Sequence, residues 1–205
     1  MSAKFITLEG LDGAGKSTHL ASIVQCLQTL GHEVIMTREP GGTPLGEKLR
    51  VLLLNEAMHA ETELLLIFAA RREHLNQVIM PALARGITVV SDRFTDSSYA
   101  YQGGGRGVDA STISSLAHLV HGYLEPDLTL LFDISSVLSV TRTEALVQAG
   151  ECLDKFEQED CAFMARVRDA YLARAQAAPQ RFRIIDASLP LDQVQQTVKN
   201  IIMSL

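Results

Sequence analysis

The sequence predicts an α/β domain in which a five-stranded parallel sheet is flanked by helices on both faces. Three observations carry that expectation. Five short β-rich runs recur along the 205 residues, the stretches between them are long enough for crossover helices, and a glycine-rich loop joins the first run to the first helical pattern. That alternation is the signature of a parallel sheet covered on both faces. Length and a hydrophobic content of 47% suit one globular domain, residues 1–205, with a large buried core.

The first strand is read in "FITLE", residues 5–9, and "GLDGAGKST" follows at residues 10–18. The helix after it runs through "KSTHLASIVQCLQTL", where Leu20, Ile23, Val24, Leu27 and Leu30 recur at helical spacing. "EVIMTRE" is the second strand, closing on Arg38-Glu39 before the sharp bend of Pro40-Gly41-Gly42. "ELLLIFAARREHL" is helical. The third strand, "ITVVSDR", ends in Asp92-Arg93, and the glycine-rich "YQGGGRG" then lies between two helical patterns. "LTLLFDI" and "RFRIID" supply the last two strands, ending at Asp133 and Asp186. Because ligands of such sheets sit beyond the carboxyl ends of the strands, the polar residues there, from Glu9 to Asp186, mark the functional edge.

Composition narrows the partners. The net charge of −6 is modest and the basic residues are scattered, so no nucleic-acid surface is indicated. Cys26, Cys152 and Cys161 lack paired spacing, and Cys26 falls on the apolar face of the first helix, which suits reduced thiols in a cytoplasmic protein. The amino terminus enters a strand directly without a signal-peptide pattern, and no run reaches membrane-spanning length.

The chemistry starts at "GLDGAGKST". Gly10, four residues, then Gly15-Lys16-Ser17 is the spacing of a phosphate-binding loop: backbone N–H groups curl around an anion, lysine adds a point charge and the serine hydroxyl ligates magnesium. The expected triphosphate-binding set is Gly10, Leu11, Asp12, Gly13, Ala14, Gly15, Lys16, Ser17 and Thr18. Switches, motors and kinases share this loop. An Asn-Lys-x-Asp guanine-reading motif is absent, and nothing suggests a nucleic-acid track. A small kinase needs a second site with cations for an anionic acceptor. Arg38 and Arg93 supply two at strand ends, and Asp92 is a ligand for magnesium or water. On the helix, Phe68 is able to share a face with Arg71 or with Arg72.

Taken together, "LEGLDGAGKST", "TREPGGT", "FAARREHL", "DRFTDSSYAYQGGGRG" and "LDKFEQED" resemble the thymidylate kinase family, bacterial type, in its order and over nearly the whole chain. The resemblance implies the P-loop kinase fold, a homodimer, magnesium, a mobile lid at about 136–156, and transfer of a phosphoryl group from ATP to dTMP. By position it puts Lys16 and the loop amides on the ATP phosphates, Ser17 on magnesium, and Asp12 near the sugar 3′-hydroxyl. Arg38 and Arg93 hold the monophosphate, Phe68 stacks on thymine, Arg71 reaches a base carbonyl, Ser98 and Gln102 meet the base edge, and Tyr101 crowds the 2′ position. Many relatives separate the aromatic and the arginine by one residue more, which leaves Arg71 and Arg72 both open.

The lid segment is sparse in cations. "SSVLSVTRTEALVQAGECLDKFEQED" contains Arg142 and Lys155, and either is able to serve the moving charge beside Lys16 and Arg93. A phosphate monoester is already an anionic nucleophile, so positioning and charge neutralisation suffice. A nucleoside acceptor would instead need a carboxylate base, such as Asp92 or Glu39, and would give the arginine pair nothing to neutralise. Kinases of other nucleoside monophosphates and a P-loop binding protein without turnover remain the alternatives.

Overall fold

The computed structural model describes residues 2–148 and 153–205. Its sheet is parallel, with strand order β2-β3-β1-β4-β5: β1 is Phe5–Gly10, β2 Val34–Arg38, β3 Thr88–Asp92, β4 Leu128–Asp133 and β5 Phe182–Asp186. Each strand lies within one residue of its sequence boundary at both ends. Alternate residues point to opposite faces. Ile6, Leu8 and Val90 thus join one apolar cluster, with Ile23 and Leu27 of helix α1, Lys16–Thr29. Phe5 and Val89 join a second, with Leu64 and Phe68 of helix α3, Ala60–His74. Burying each such side chain contributes about 1.5–3 kcal/mol.

Helix α2, Pro44–Asn55, starts where proline's fixed φ suits the first turn and the Thr43 hydroxyl accepts the Gly46 N–H at 3.0 Å. Helix α3 passes through a π-helical stretch, Leu75–Ile79, into helix α4, Met80–Ala84. Helix α5, Thr95–Ser98, runs into a second π-helical stretch, Tyr99–Gly105. Two of its glycines are needed for close packing: a Cβ on Gly104 would stand 2.6 Å from Ala170, and one on Gly105 2.5 Å from the Phe163 ring. Both neighbours belong to helix α8, Cys161–Ala177. Helices α6, Ala110–His121, α7, Ser136–Gln148, and α9, Leu191–Met203, complete the layers. Residues 149–152 of the segment read as a lid, Cys152 among them, lie outside the described residues. Cys26 and Cys161 are free thiols.

Register brings the functional strand ends to one level. Leu8 and Arg38 both pair with Asp92, so Glu9-Gly10, Arg38-Glu39 and Asp92-Arg93 emerge side by side. The other two strand ends turn elsewhere. Asp133 is held by both arms of Arg168 at 2.6 and 2.8 Å, and Asp186 caps the turn at Ser188. The functional edge is therefore narrower than the sequence suggested, since only three of its five strand ends meet there.

Candidate active site

A cleft of about 700 Å³ opens beyond the carboxyl ends of β1, β2 and β3. Its first wall is the loop between β1 and α1. Gly10 has φ 136° and sits so close to β4 that a Cβ would lie 2.3 Å from the Phe132 carbonyl oxygen, so only glycine permits the turn. Leu11 and Ala14 bury their side chains in the core. Gly13, Gly15, Lys16, Ser17 and Thr18 line it directly. Lys16 folds back on the loop, donating to the Gly10 and Leu11 carbonyls at 3.0 and 2.8 Å. Burial, reinforced by the charge of Arg93, pushes its ammonium down to about 8, although Asp12, Asp92 and Glu9 resist. An anion entering the loop, at the positive end of α1, relieves that penalty.

Arg93 holds the centre. Its φ of 72° is in the left-handed region, a strained backbone costing about 1–3 kcal/mol, and its N–H is tied to the Leu8 carbonyl at 2.9 Å. The guanidinium donates to the Gly10 carbonyl, the Ser97, Tyr171 and Tyr101 hydroxyls, and Asp12 at 2.5 Å. Burial works against the Asp12 carboxylate, but Arg93 and Lys16, with the Tyr101 hydroxyl at 2.9 Å, outweigh it and hold the group at about 2. Behind them Glu9 is fully buried and accepts from the Phe94 N–H, Ser97 and Tyr171 at 2.6–2.9 Å. Burial, then the charge of Asp96, raises Glu9 to about 7.

Two further cations reach the same cleft. Arg38 pairs with Glu47 at 2.7 Å, both half exposed, a contact weak enough to exchange for a stronger anion. Arg50, on α2, donates to the Pro40 carbonyl at 3.0 Å. Burial, and after it the neighbouring charge of Arg38, lowers the Arg50 pKa, as a crowd of cations awaiting a counter-anion should. The Arg50 position in "GEKLRVLL" has nothing local to mark it as a site residue.

At the far end of the cleft the two arginines of α3 point in different directions. Arg71 lines it, buried, with three of its N–H groups on Glu39, Ser98 and the Phe94 carbonyl at 2.7, 3.1 and 3.1 Å. Arg72 points away to the Val120 carbonyl. Phe68 departs from its expected place. Its ring is buried among Phe5, Leu64 and Phe94 in the second apolar cluster, under the Arg71 guanidinium, and the cleft wall on this turn is Ile67. The reason is helical phase: four residues before Arg71 is Ile67, and Phe68 lies a further 100° around toward the sheet. Ser98, Tyr101 and Gln102 all line the cleft.

The lid cations separate. Arg142, on α7, lines the cleft and donates to the Gly13 and Ala187 carbonyls at 2.9 and 3.2 Å. Lys155 is bound instead to buried Glu63 at 2.9 Å. For a metal, the fit is made by Asp92: its Oδ1 is buried and has no hydrogen-bond partner among the described residues, while Ser17 lines the same cleft.

A family model described as thymidylate kinase matches residues 8–198. The chain belongs to the thymidylate kinase family. It is 60% identical to the thymidylate kinase of Methylobacillus flagellatus over 201 residues, covering 98% of this chain and 97% of the relative. To the thymidylate kinase of Thiobacillus denitrificans it is 54% identical over 205 residues, covering 100% and 98%. The crystal structure of thymidylate kinase from Ehrlichia chaffeensis superposes with a TM-score of 0.79 at 33% identity, covering 98% of each chain. The five-stranded parallel sheet flanked by helices is that of the family. Among the described residues no helix is long and apolar enough to cross a membrane.

Proposed function

We propose that the cleft works as a dTMP kinase site with a divided layout. ATP lies along the loop from Gly10 to Thr18, and the dTMP phosphate is held among Arg38, Arg50 and Arg93. Its base is at the Ile67, Arg71, Ser98 and Gln102 end, and its sugar is at Asp12 and Tyr101. The reaction moves the γ-phosphoryl group to the dTMP phosphate oxygen, giving dTDP and ADP. The observation that carries this reading is one continuous cleft with the phosphate loop on one side and a cluster of three arginines on the other. Two anions brought together must be neutralised, and no general base is required because the acceptor oxygen is already charged.

Ser17 and Asp92 would hold magnesium, which commonly takes one or two protein ligands beside substrate phosphates and water. When bound, it supplies charge neutralisation between the phosphates. The protein's own part is positioning: Lys16 meets the transferred group, Arg93 ties the acceptor phosphate to the loop through Asp12, and Tyr101 stands against the sugar. The family also supports a homodimer in the cytoplasm, with helix α7 closing over the phosphates.

Arg142 is the lid cation in this reading, because it lines the cleft beside the phosphate loop while Lys155 is engaged with Glu63. The expected result for Arg142→Ala is a fall of about 100-fold in kcat with both KM values nearly unchanged. Lys155→Ala should leave a larger fraction of kcat. Steady-state ADP release with dTMP and saturating magnesium measures both. A wild-type kcat in Arg142→Ala would return that residue to an ordinary helix surface.

A further inference from the structure

Glu63 has no part in the site described so far, yet it is a buried carboxylate touching one of its walls. It sits in the first turn of α3, only 2% exposed in its side chain. Lys155 meets its Oε2 at 2.9 Å and the Arg106 Nε its Oε1 at 3.5 Å. Lys155 and Arg106 can only donate, so both carboxylate oxygens of Glu63 act as acceptors here. Its third partner is the Gln102 side chain, at 2.9 Å from Oε1. The end of the Gln102 amide facing Glu63 must therefore be the NH₂ group. The oxygen is then the end without a protein donor among the described residues, and Gln102 lines the cleft.

We infer that Glu63 is a positioning residue for base choice: it locks the Gln102 amide so that an acceptor, not a donor, meets the substrate base. This rests on the proposal that Gln102 faces the base. The consequence follows from the edge patterns. Thymine offers O4 as acceptor and N3–H as donor; cytosine offers an N4 amino donor and N3 as acceptor. With the Arg71 donors on one side and a locked Gln102 oxygen on the other, thymine is matched at both points and cytosine opposed at both. A Gln102 free to flip would present a donor in half its orientations and lose that contrast. Burial raises the cost of any mismatch, since a polar group left unpaired there keeps its desolvation penalty.

The test is the ratio of kcat/KM for dTMP to that for dCMP. Glu63→Gln keeps the shape but lets residue 63 donate as well as accept, so the Gln102 lock is released. The expected result is a fall in the ratio of about tenfold, mostly through loss of dTMP activity. Lys155→Met, which leaves the Glu63 to Gln102 contact in place, should keep the wild-type ratio even if turnover drops. If Glu63→Gln lowers both substrates equally, or if Lys155→Met shifts the ratio as far, the positioning role is overturned. Gln102→Leu separates this from the underlying reading: an unchanged ratio there removes Gln102 from the base site altogether. A reduced ratio in Gln102→Leu with none in Glu63→Gln removes Glu63 alone. Should Glu63→Gln fail to fold, the side-chain amide resonances of Gln102 in ¹⁵N-labelled wild-type protein decide. A donor bond to Glu63 retained with and without dTMP supports the lock, and its exchange on binding dTMP overturns it.

Discussion

Lys16→Ala should lower turnover of ATP and dTMP by about a thousandfold while leaving the unfolding transition close to wild type. The two halves of this expectation have different causes. Lys16 is buried at the loop, and burial pushes its ammonium down to about 8, so the charge is a burden to the empty protein. Removing it relieves that burden and loses two bonds to the Gly10 and Leu11 carbonyls. In the proposed layout the same ammonium exchanges those carbonyls for the ATP phosphates, where developing charge makes it most valuable. A pH signature follows. The ammonium must be charged to hold the phosphates, and in the free protein it loses its proton as pH rises through about 8. Apparent ATP affinity in the wild type should fall above that pH, and in Lys16→Ala it should be flat there. Isothermal titration of ATP with magnesium across pH 7 to 9.5, beside steady-state kinetics, checks both. Near-normal turnover in the variant would remove the loop from the chemistry.

Arg93→Ala should damage dTMP affinity and kcat together, with kcat/KM for dTMP down by about a hundredfold or more. Its guanidinium ties several parts of the site together. It donates to the Gly10 carbonyl of the phosphate loop, to Asp12 and to Tyr101, and through Ser97 and Tyr171 it adjoins Glu9. Without it, Asp12 loses the largest charge that keeps it ionised, and burial then acts to raise its pKa. Arg93→Lys should recover little, because a point charge cannot reproduce a fork that binds in two directions. The check is dTMP titration together with single-turnover kinetics. Wild-type values for both would separate Arg93 from the acceptor phosphate.

Local patterns were legible in the sequence and long-range ones were not. The loop from Gly10 to Thr18 declares itself because its spacing, strand and helix are contiguous. The strands follow from apolar runs whose ends are marked by polar residues. Phe68 misled because an aromatic is the conspicuous residue before "AARR", whereas counting back four from Arg71 reaches the unremarkable Ile67. Arg50 has no local signal because its helix reads as an ordinary amphipathic surface, and its place in the cleft depends on the bend at Pro40, whose carbonyl it meets. Asp133 ended a strand like Asp92 but met Arg168, a partner 35 residues away. Lys155 and Glu63, 92 positions apart in sequence, likewise form a pair that folding alone reveals.

That the acceptor is a phosphate monoester carrying thymine is tested most directly by acceptor choice in the wild-type protein. With saturating ATP and magnesium, dTMP, dCMP, dAMP, dGMP and unphosphorylated thymidine are supplied one at a time, and ADP and phosphorylated product are quantified together. The arginine cluster and the base end of the cleft predict dTDP formed in step with ADP, at a kcat/KM well above every other acceptor, and no dTMP from thymidine. Phosphorylation of thymidine, preference for another monophosphate, or ADP released without dTDP would contradict the account.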